Sequence, residues 1–356
     1  MTTGRRLIHD PEGHNSAPWP IRQEGVLTST DCFFTRSHAP TPQVDPRAWR
    51  LQIGGLVERP MQLSLDDLAA FPRSEVPATL VCAGLRRDEY LAIGPLPGEL
   101  PWGPEPISTG CWNGFVLASV LRQVGVKSEA RFVEFVGLDS VERHGHRFGF
   151  GGSIDLAKAL SPDVLLATEL NGAPLPPDHG FPLRALVPGW IGARSVKWLG
   201  RITLTAEPSQ NYFQTKAYRV QRETNHRDPR DVSAGTALSE VPLNAVILEP
   251  TRDQSVAAGP VTVRGWAMGS GGRRIVSVEV SPNAGAEWKA ARIAAPGSPW
   301  TWSIWEATLD LPRGRHMLAV RASDTSGATQ PAAVWDTWNV KGYGNNAWHR
   351  VPVQAE

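Results

Sequence analysis

A change of texture near residue 240 constrains the fold more than any bulk property of the chain. From Leu243 onward the sequence runs as short apolar segments closed by turn residues: AVILEP, VTVRGW, IVSVEVS, WTWSIWEATLDL, HMLAVRAS and VWDTW. In IVSVEVS, Val276, Val278 and Val280 alternate with Ser277, Glu279 and Ser281. A period of two sets one face on a core and the other in water, which is the signature of a half-buried strand. About 115 residues of this kind with no helical stretch predict an immunoglobulin-like sandwich, here without its disulfide.

The preceding part mixes helix and strand. WRLQIGGLVERPMQLSL alternates, and Ser64 then opens SLDDLAAFP as an N-cap with Asp66 and Asp67 in the first turn. TLVCAGLRR is an apolar strand running into a turn, GFVLASVLRQVGV has helical spacing, and RFVEFVGLDS and SVKWLGRITLTAE read as strands. The fold class is therefore α+β. An extended arm over 1–30 precedes a mixed α/β domain over 31–240, and an all-β sandwich domain fills 241–356. The polar run RVQRETNHRDPRDVSAGTALSEV, from about Arg219 to Val241, reads as a linker or surface excursion.

Charge and motif absences narrow the chemistry. The 36 basic and 35 acidic side chains leave a net charge of +1, so bulk electrostatics favour neither nucleic acid nor an anionic membrane as partner. With no apolar run of about 18 residues, neither a membrane span nor an export signal is visible, and the chain as written reads as cytoplasmic. A removed export signal would make it periplasmic. Three cysteines, Cys32, Cys82 and Cys111, exclude a disulfide scaffold and leave one thiol unpaired. The sequence has no P-loop, no GxGxxG after a strand, no HExxH and no GxSxG, so the common nucleotide, metalloprotease and hydrolase readings lack support.

Three clusters remain. Cys82 stands where a strand meets a Gly-containing turn, followed by Arg86 and Arg87, whose charge favours a metal-ligating thiolate; an inert buried cysteine is the plain alternative. In FFTRSHAP, Arg36 and His38 share one side of an extended segment. In DHGFPLRALVPGWIGARSVKWLGR, His179, Arg184, Arg194 and Lys197 are interleaved with Gly and Pro, an arrangement suited to an anion such as phosphate, with solvated positive surface as the alternative. His144 and His146 lack the spaced partners of a zinc site and read as a surface loop, and GSGGRR reads as a turn between strands.

FFTRSHAPTP, LVCAGLRR, PISTGCW, DHGFPLRALVPGWIGARSVKWLGRI and WNVKGYGNNAWHRV, in that order, resemble the sulfite oxidase family of molybdopterin enzymes over residues 25 to 353. The resemblance implies a molybdenum-cofactor domain followed by an immunoglobulin-like dimerisation domain, and a homodimer. It implies Cys82 as the single protein thiolate on molybdenum, a soft ligand suited to the metal. Tyr218 would face the reactive oxo group, Trp102 would line the substrate pocket, and Arg36 and Arg87 would bind the oxyanion. Phe34, His38, Asp139, His179, Arg184, Ser195 and Lys197 would hold the pterin and its phosphate. The implied reaction is oxidation of sulfite to sulfate by oxygen-atom transfer, with two-electron reduction of the metal.

Two departures bear on the substrate. The family usually has Asn where this chain has Leu85, and a third substrate arginine where it has Lys341, which keeps the charge but lacks the planar fork. An oxo-transferase acting on nitrate or an S-oxide is therefore the alternative, and a scaffold that has lost catalysis is another. No b-type haem domain or CxxCH haem-attachment motif is visible, so the expected electron acceptor is oxygen or a separate cytochrome c.

Overall fold

The computed structural model describes residues 4–7, 15–19, 25–220 and 235–356. The first unit is built on two sheets. One orders its strands Gly151–Asp155, Phe132–Gly137, Leu199–Thr205, Leu51–Gly55 and Met61–Leu63, and its sole parallel pairing sets Leu199–Thr205 beside Leu51–Gly55. The other runs Ala173–Pro174, Leu165–Leu170, Ile107–Val116 and Arg73–Val81, with Arg184–Leu186 pairing on Leu165–Leu170. Leu51, Ile53, Phe115, Val133, Phe135, Leu166 and Ile202 form the core of this unit. Helices are few and short. Leu65–Leu68 is closed by a capping box in which Asp67 N–H donates to Ser64 Oγ and Ser64 N–H to Asp67 Oδ2. Leu117–Val124 buries Leu117, Val120, Leu121 and Val124 on one face.

The second unit is a sandwich. Asn244–Glu249, Gly259–Met268, Ser303–Leu311 and Arg292–Ala295 form one sheet; Gln254–Val256, His349–Ala355, Gly314–Asp324, Ile275–Ser281 and Lys289–Ala290 form the other. Val263, Val278, Val280, Trp305, Leu309, Leu318 and Val353 fill the space between them.

Two details depart from the sequence reading. Val276 is exposed although Val278 and Val280 are buried, because the register with Gly314–Asp324 shifts between Ile275 and Ser277. That bulge inverts the phase of the strand's first residues. VWDTW is not a strand but a 3-10 turn, Val334–Thr337, closed by Thr337 Oγ1 donating to Val334 O. The sheet position is filled instead by His349–Ala355.

The arm over 1–30 has structure where it is described. Gly4–Leu7 pairs antiparallel with Ser16–Trp19, and Ser16 exchanges both backbone hydrogen bonds with Thr35. Of the expected linker, 221–234 lie outside the described residues, while Arg219–Val220 pairs with Thr236–Ala237.

The two units share an interface. Val81, Leu85 and Ile107 pack with Val241, Val246, Trp266, Met268 and Trp302. Segment 339–347 then runs back to the first unit, where Gly344 N–H donates to Ala83 O and Asn345 Nδ2 to Arg86 O.

Candidate active site

Cys82 follows directly on the strand Arg73–Val81. Its N–H donates to Pro106 O, its carbonyl accepts from Leu85 N–H at 3.0 Å, and Gly84 N–H points at its Sγ from 3.4 Å. The two arginines that follow separate at once, because Arg86 takes a left-handed conformation (φ 59°). Arg86 turns away from both cavities described below and is fully buried. It is bidentate on Glu89 at 2.6 and 2.8 Å and donates to Asn244 Oδ1 and Ala347 O. Its role is structural, tying the turn to the second unit, and Arg87 alone brings charge to the site.

An inner cavity of about 730 Å³ is lined by Phe34, Arg36, His38, Cys82, Asp139, His179, Arg184, Ser195, Lys197 and Tyr218, among others. Its cationic wall fits a phosphate. Burial lowers Arg184 to about 9 and Lys197 to about 7, in the second case with help from Arg184. Arg184 donates to His179 O and Ser195 O, and Lys197 to Ser37 Oγ at 2.6 Å and Asp178 O at 2.8 Å. Neither has a carboxylate partner among the described residues within ion-pair reach. Buried cations without counter-ions are costly, and a bound dianion removes that cost. Asp139, raised by desolvation, accepts from Phe150 N–H at 2.9 Å and leaves acceptor capacity for a ring N–H. Beside Cys82, these groups suit a phosphate-bearing pterin that presents a metal to sulfur.

His38 lines this cavity and also the outer one described below. Arg36 Nη2 lies 3.3 Å from Nδ1, and Nε2 lies 2.8 Å from Tyr218 Oη. Burial holds His38 well below its usual range, with Arg36, Arg143, Lys197 and Arg87 adding to the shift, so the ring is neutral. An arginine cannot accept, which makes Nδ1 the acceptor and places the imidazole proton on Nε2. Tyr218 Oη therefore accepts from His38 and keeps its own hydrogen to donate. Burial raises this phenol to about 12, and its backbone sits at φ 55°. Arg36 is itself supported by the arm, donating to Asn15 Oδ1 at 3.1 Å, a contact with no signal in the sequence.

An outer cavity of about 1210 Å³ shares Arg36, His38, Cys82 and Tyr218 with the inner one and adds Arg87, Glu99, Arg143, Lys341 and Tyr343. Arg87 donates through Nε to Gly342 O and through Nη1 to Leu100 O, with its guanidinium 5.1 Å from the centre of the Tyr343 ring. Only glycine fits on either side of it: a Cβ at Gly84 would stand 2.6 Å from Arg87 Cζ, and one at Gly342 2.7 Å from Cγ. Lys341 and Tyr343 arrive from the second unit, whose tail thus completes the pocket. Tyr343 and Arg143 escaped sequence reasoning; the run WNVKGYGNNAWHRV holds the signal that could have found the first, and nothing in the sequence points to the second.

Trp102 corrects an expectation. It lines neither cavity and is fully buried in the cluster with Phe33, Phe34 and Trp112, because Trp102 N–H bonds to Leu100 O and Asp88 N–H to Trp102 O, which fold the loop inward. Leu85 points away from the site, into the interface between units. Arg194 is also structural, donating to Phe213 O and Leu238 O. His144 and His146 are exposed on a hairpin turn, and no group of three or more His, Cys, Asp or Glu side chains placed to hold a metal ion occurs among the described residues.

Residues 38–213 match the family described as "Oxidoreductase molybdopterin binding domain", and residues 235–356 match "Mo-co oxidoreductase dimerisation domain". The chain is 39% identical to "Sulfite oxidase" of Gallus gallus over 355 residues, covering 98% of this chain and 77% of that one. It is 40% identical to "Sulfite oxidase, mitochondrial" of Homo sapiens over 359 residues, covering 97% of this chain and 65% of that one. "Nitrate reductase [NADH]" of Ulva prolifera is 37% identical over 363 residues, and the match spans 41% of its length. The chain thus spans under two thirds of several of the curated relatives it matches. Among solved structures, the sulfane dehydrogenase SoxCD from Paracoccus pantotrophus superposes with a TM-score of 0.84 at 26% identity, covering 99% of this chain and 90% of that one. With both family matches spanning most of its length and relatives about 40% identical over nearly all of it, the chain belongs to the sulfite oxidase family of molybdopterin-dependent oxidoreductases.

Proposed function

We propose that the protein oxidises sulfite to sulfate with Mo-molybdopterin held in the inner cavity. The observation that carries this reading is the meeting of two cavities at Cys82, Arg36, His38 and Tyr218, one suited to a phosphate-bearing cofactor and the other to a small anion. The sulfite oxidases among the relatives support it, at identities up to 40%.

When bound, the cofactor supplies the transferable oxygen and accepts two electrons. The chain does the rest. Sulfite is strongly hydrated, and Arg36, Arg87 and Lys341 replace its water with fixed positive donors. Tyr218, its oxygen engaged by His38, directs its hydrogen toward the oxygen being transferred. Cys82 contributes the sulfur ligand, and Arg184 and Lys197 hold the phosphate. Electrons pass to oxygen or to a separate cytochrome c, and the sandwich pairs with a second copy to give a homodimer, as the dimerisation-domain match supports.

The test is sulfite-dependent reduction of ferricyanide by protein loaded with molybdenum, with metal content measured on the same sample and oxygen and ferricytochrome c compared as acceptors. Turnover is the expected result. A loaded protein that ignores sulfite but reduces nitrate with a reduced dye would replace the substrate reading with the oxo-transferase one. That alternative has one observation in its favour, the carboxylate of Glu99, which reduces the positive charge of the outer cavity.

A further inference from the structure

The outer cavity holds an acid among its cations. Glu99 Oε2 lies 3.2 Å from Arg87 Nη2, and Glu99 Oε1 lies 3.0 Å from Lys341 Nζ. One carboxylate thus bridges two positive groups that reach the pocket from different units. The remaining nitrogens of Arg87, Nε and Nη1, are committed to the carbonyls of Gly342 and Leu100, so Nη2 is the part of the fork left to grip an anion. Two oxygens of a small oxyanion spanning Arg87 and Lys341 would make the same pair of contacts. Glu99 follows Gly98, which has φ 75° and open space around it, in a loop with no regular structure. Its side chain keeps 15% of its surface exposed, so it is not sealed into the seat.

We propose that Glu99 is an internal competitor: its carboxylate occupies the oxyanion seat of Arg87 and Lys341, and an entering anion must displace it. The inference rests on the oxyanion reading of the pocket. Apparent affinity falls by the fraction of time the seat is free, so an acid seated nine-tenths of the time weakens every anion about tenfold. Abundant weak anions such as chloride are thereby kept out, while an anion that binds tightly enough still enters.

The experiment titrates sulfate into the oxidised, molybdenum-loaded protein by calorimetry, for the native protein, Glu99→Gln and Glu99→Asp, with sulfite kinetics on the same samples. Glu99→Gln is expected to bind sulfate about tenfold more tightly, to show a lower KM for sulfite with a smaller change in kcat, and to become sensitive to chloride. Glu99→Asp, one methylene too short to span both cations, falls between. Unchanged or weaker sulfate binding in Glu99→Gln would overturn the inference and make Glu99 a residue that orders Arg87. Tightened sulfate binding without sulfite turnover would leave the inference standing and remove the substrate assignment. Loaded proteins that bind no sulfate at all would overturn both.

Discussion

The imidazole Nε2 of His38 lies 2.8 Å from the phenol oxygen of Tyr218, although 180 residues separate the two in the chain. Arg36 fixes the other ring nitrogen as acceptor, so this contact sets the direction of the Tyr218 hydroxyl. Tyr218→Phe removes that donor. Loss of one donor aimed at developing charge costs about a hundredfold in kcat, with a smaller change in KM. Steady-state sulfite kinetics check this, and a variant with native kcat would show that Tyr218 does not face the reacting oxygen.

Cys82→Ser replaces a soft sulfur donor with a hard hydroxyl at the end of an intact strand. The expected result is loss of sulfite turnover with unchanged near-ultraviolet circular dichroism and unchanged Tm. Appreciable activity in this variant would mean that Cys82 is not the metal ligand.

Lys197 gives the site a pH signature. In the cofactor-free fold it titrates at about 7, whereas an unfolded lysine titrates near 10.5. Between those values the unfolded chain carries more protons, so stability of the cofactor-free protein rises with pH across that window. Binding of the cofactor's phosphate draws the proton back, with uptake approaching about one proton at pH 8. Calorimetry in buffers of different ionisation enthalpy measures the uptake, and Lys197→Met is expected to abolish both effects.

Arg86 is predicted to matter for assembly rather than chemistry. It is fully buried, and its removal leaves the Glu89 carboxylate without the guanidinium that holds its pKa down against burial. Breaking one side of such a pair costs about 3–5 kcal/mol. Urea unfolding of Arg86→Met is expected to show that loss, while sulfite KM at low temperature stays near the native value.

Much of this architecture is legible in the sequence, for physical reasons that also explain the rest. The sandwich is readable because a period of two reports one buried face, and the reading slips at Val276 where a bulge shifts that period. VWDTW misleads because aromatic and β-branched residues favour strands, whereas backbone bonds from Asp336 N–H to Ala333 O and from Trp338 N–H to Trp335 O wind it into a turn. Cys82, His38 and the cations at 179–197 stand out through side-chain type in short contiguous runs. Glu99 does not, because it lies in a Pro- and Gly-rich loop without periodicity and gains meaning only when Arg87 and Lys341, 254 residues apart by number, are brought to it. Trp102 shows the converse: its place in the chain is readable, but two backbone hydrogen bonds decide where its ring goes.

The return of segment 339–347 onto the first unit has a consequence for how such a protein can diversify. Lys341 and Tyr343 are encoded with the sandwich, while Cys82 and the phosphate-holding cations are encoded with the other unit. On the proposed function, exchange of the C-terminal portion between relatives would transplant part of the substrate pocket and leave the lining of the inner cavity untouched, so a recombination joint near residue 240 would separate what the enzyme carries from what it chooses.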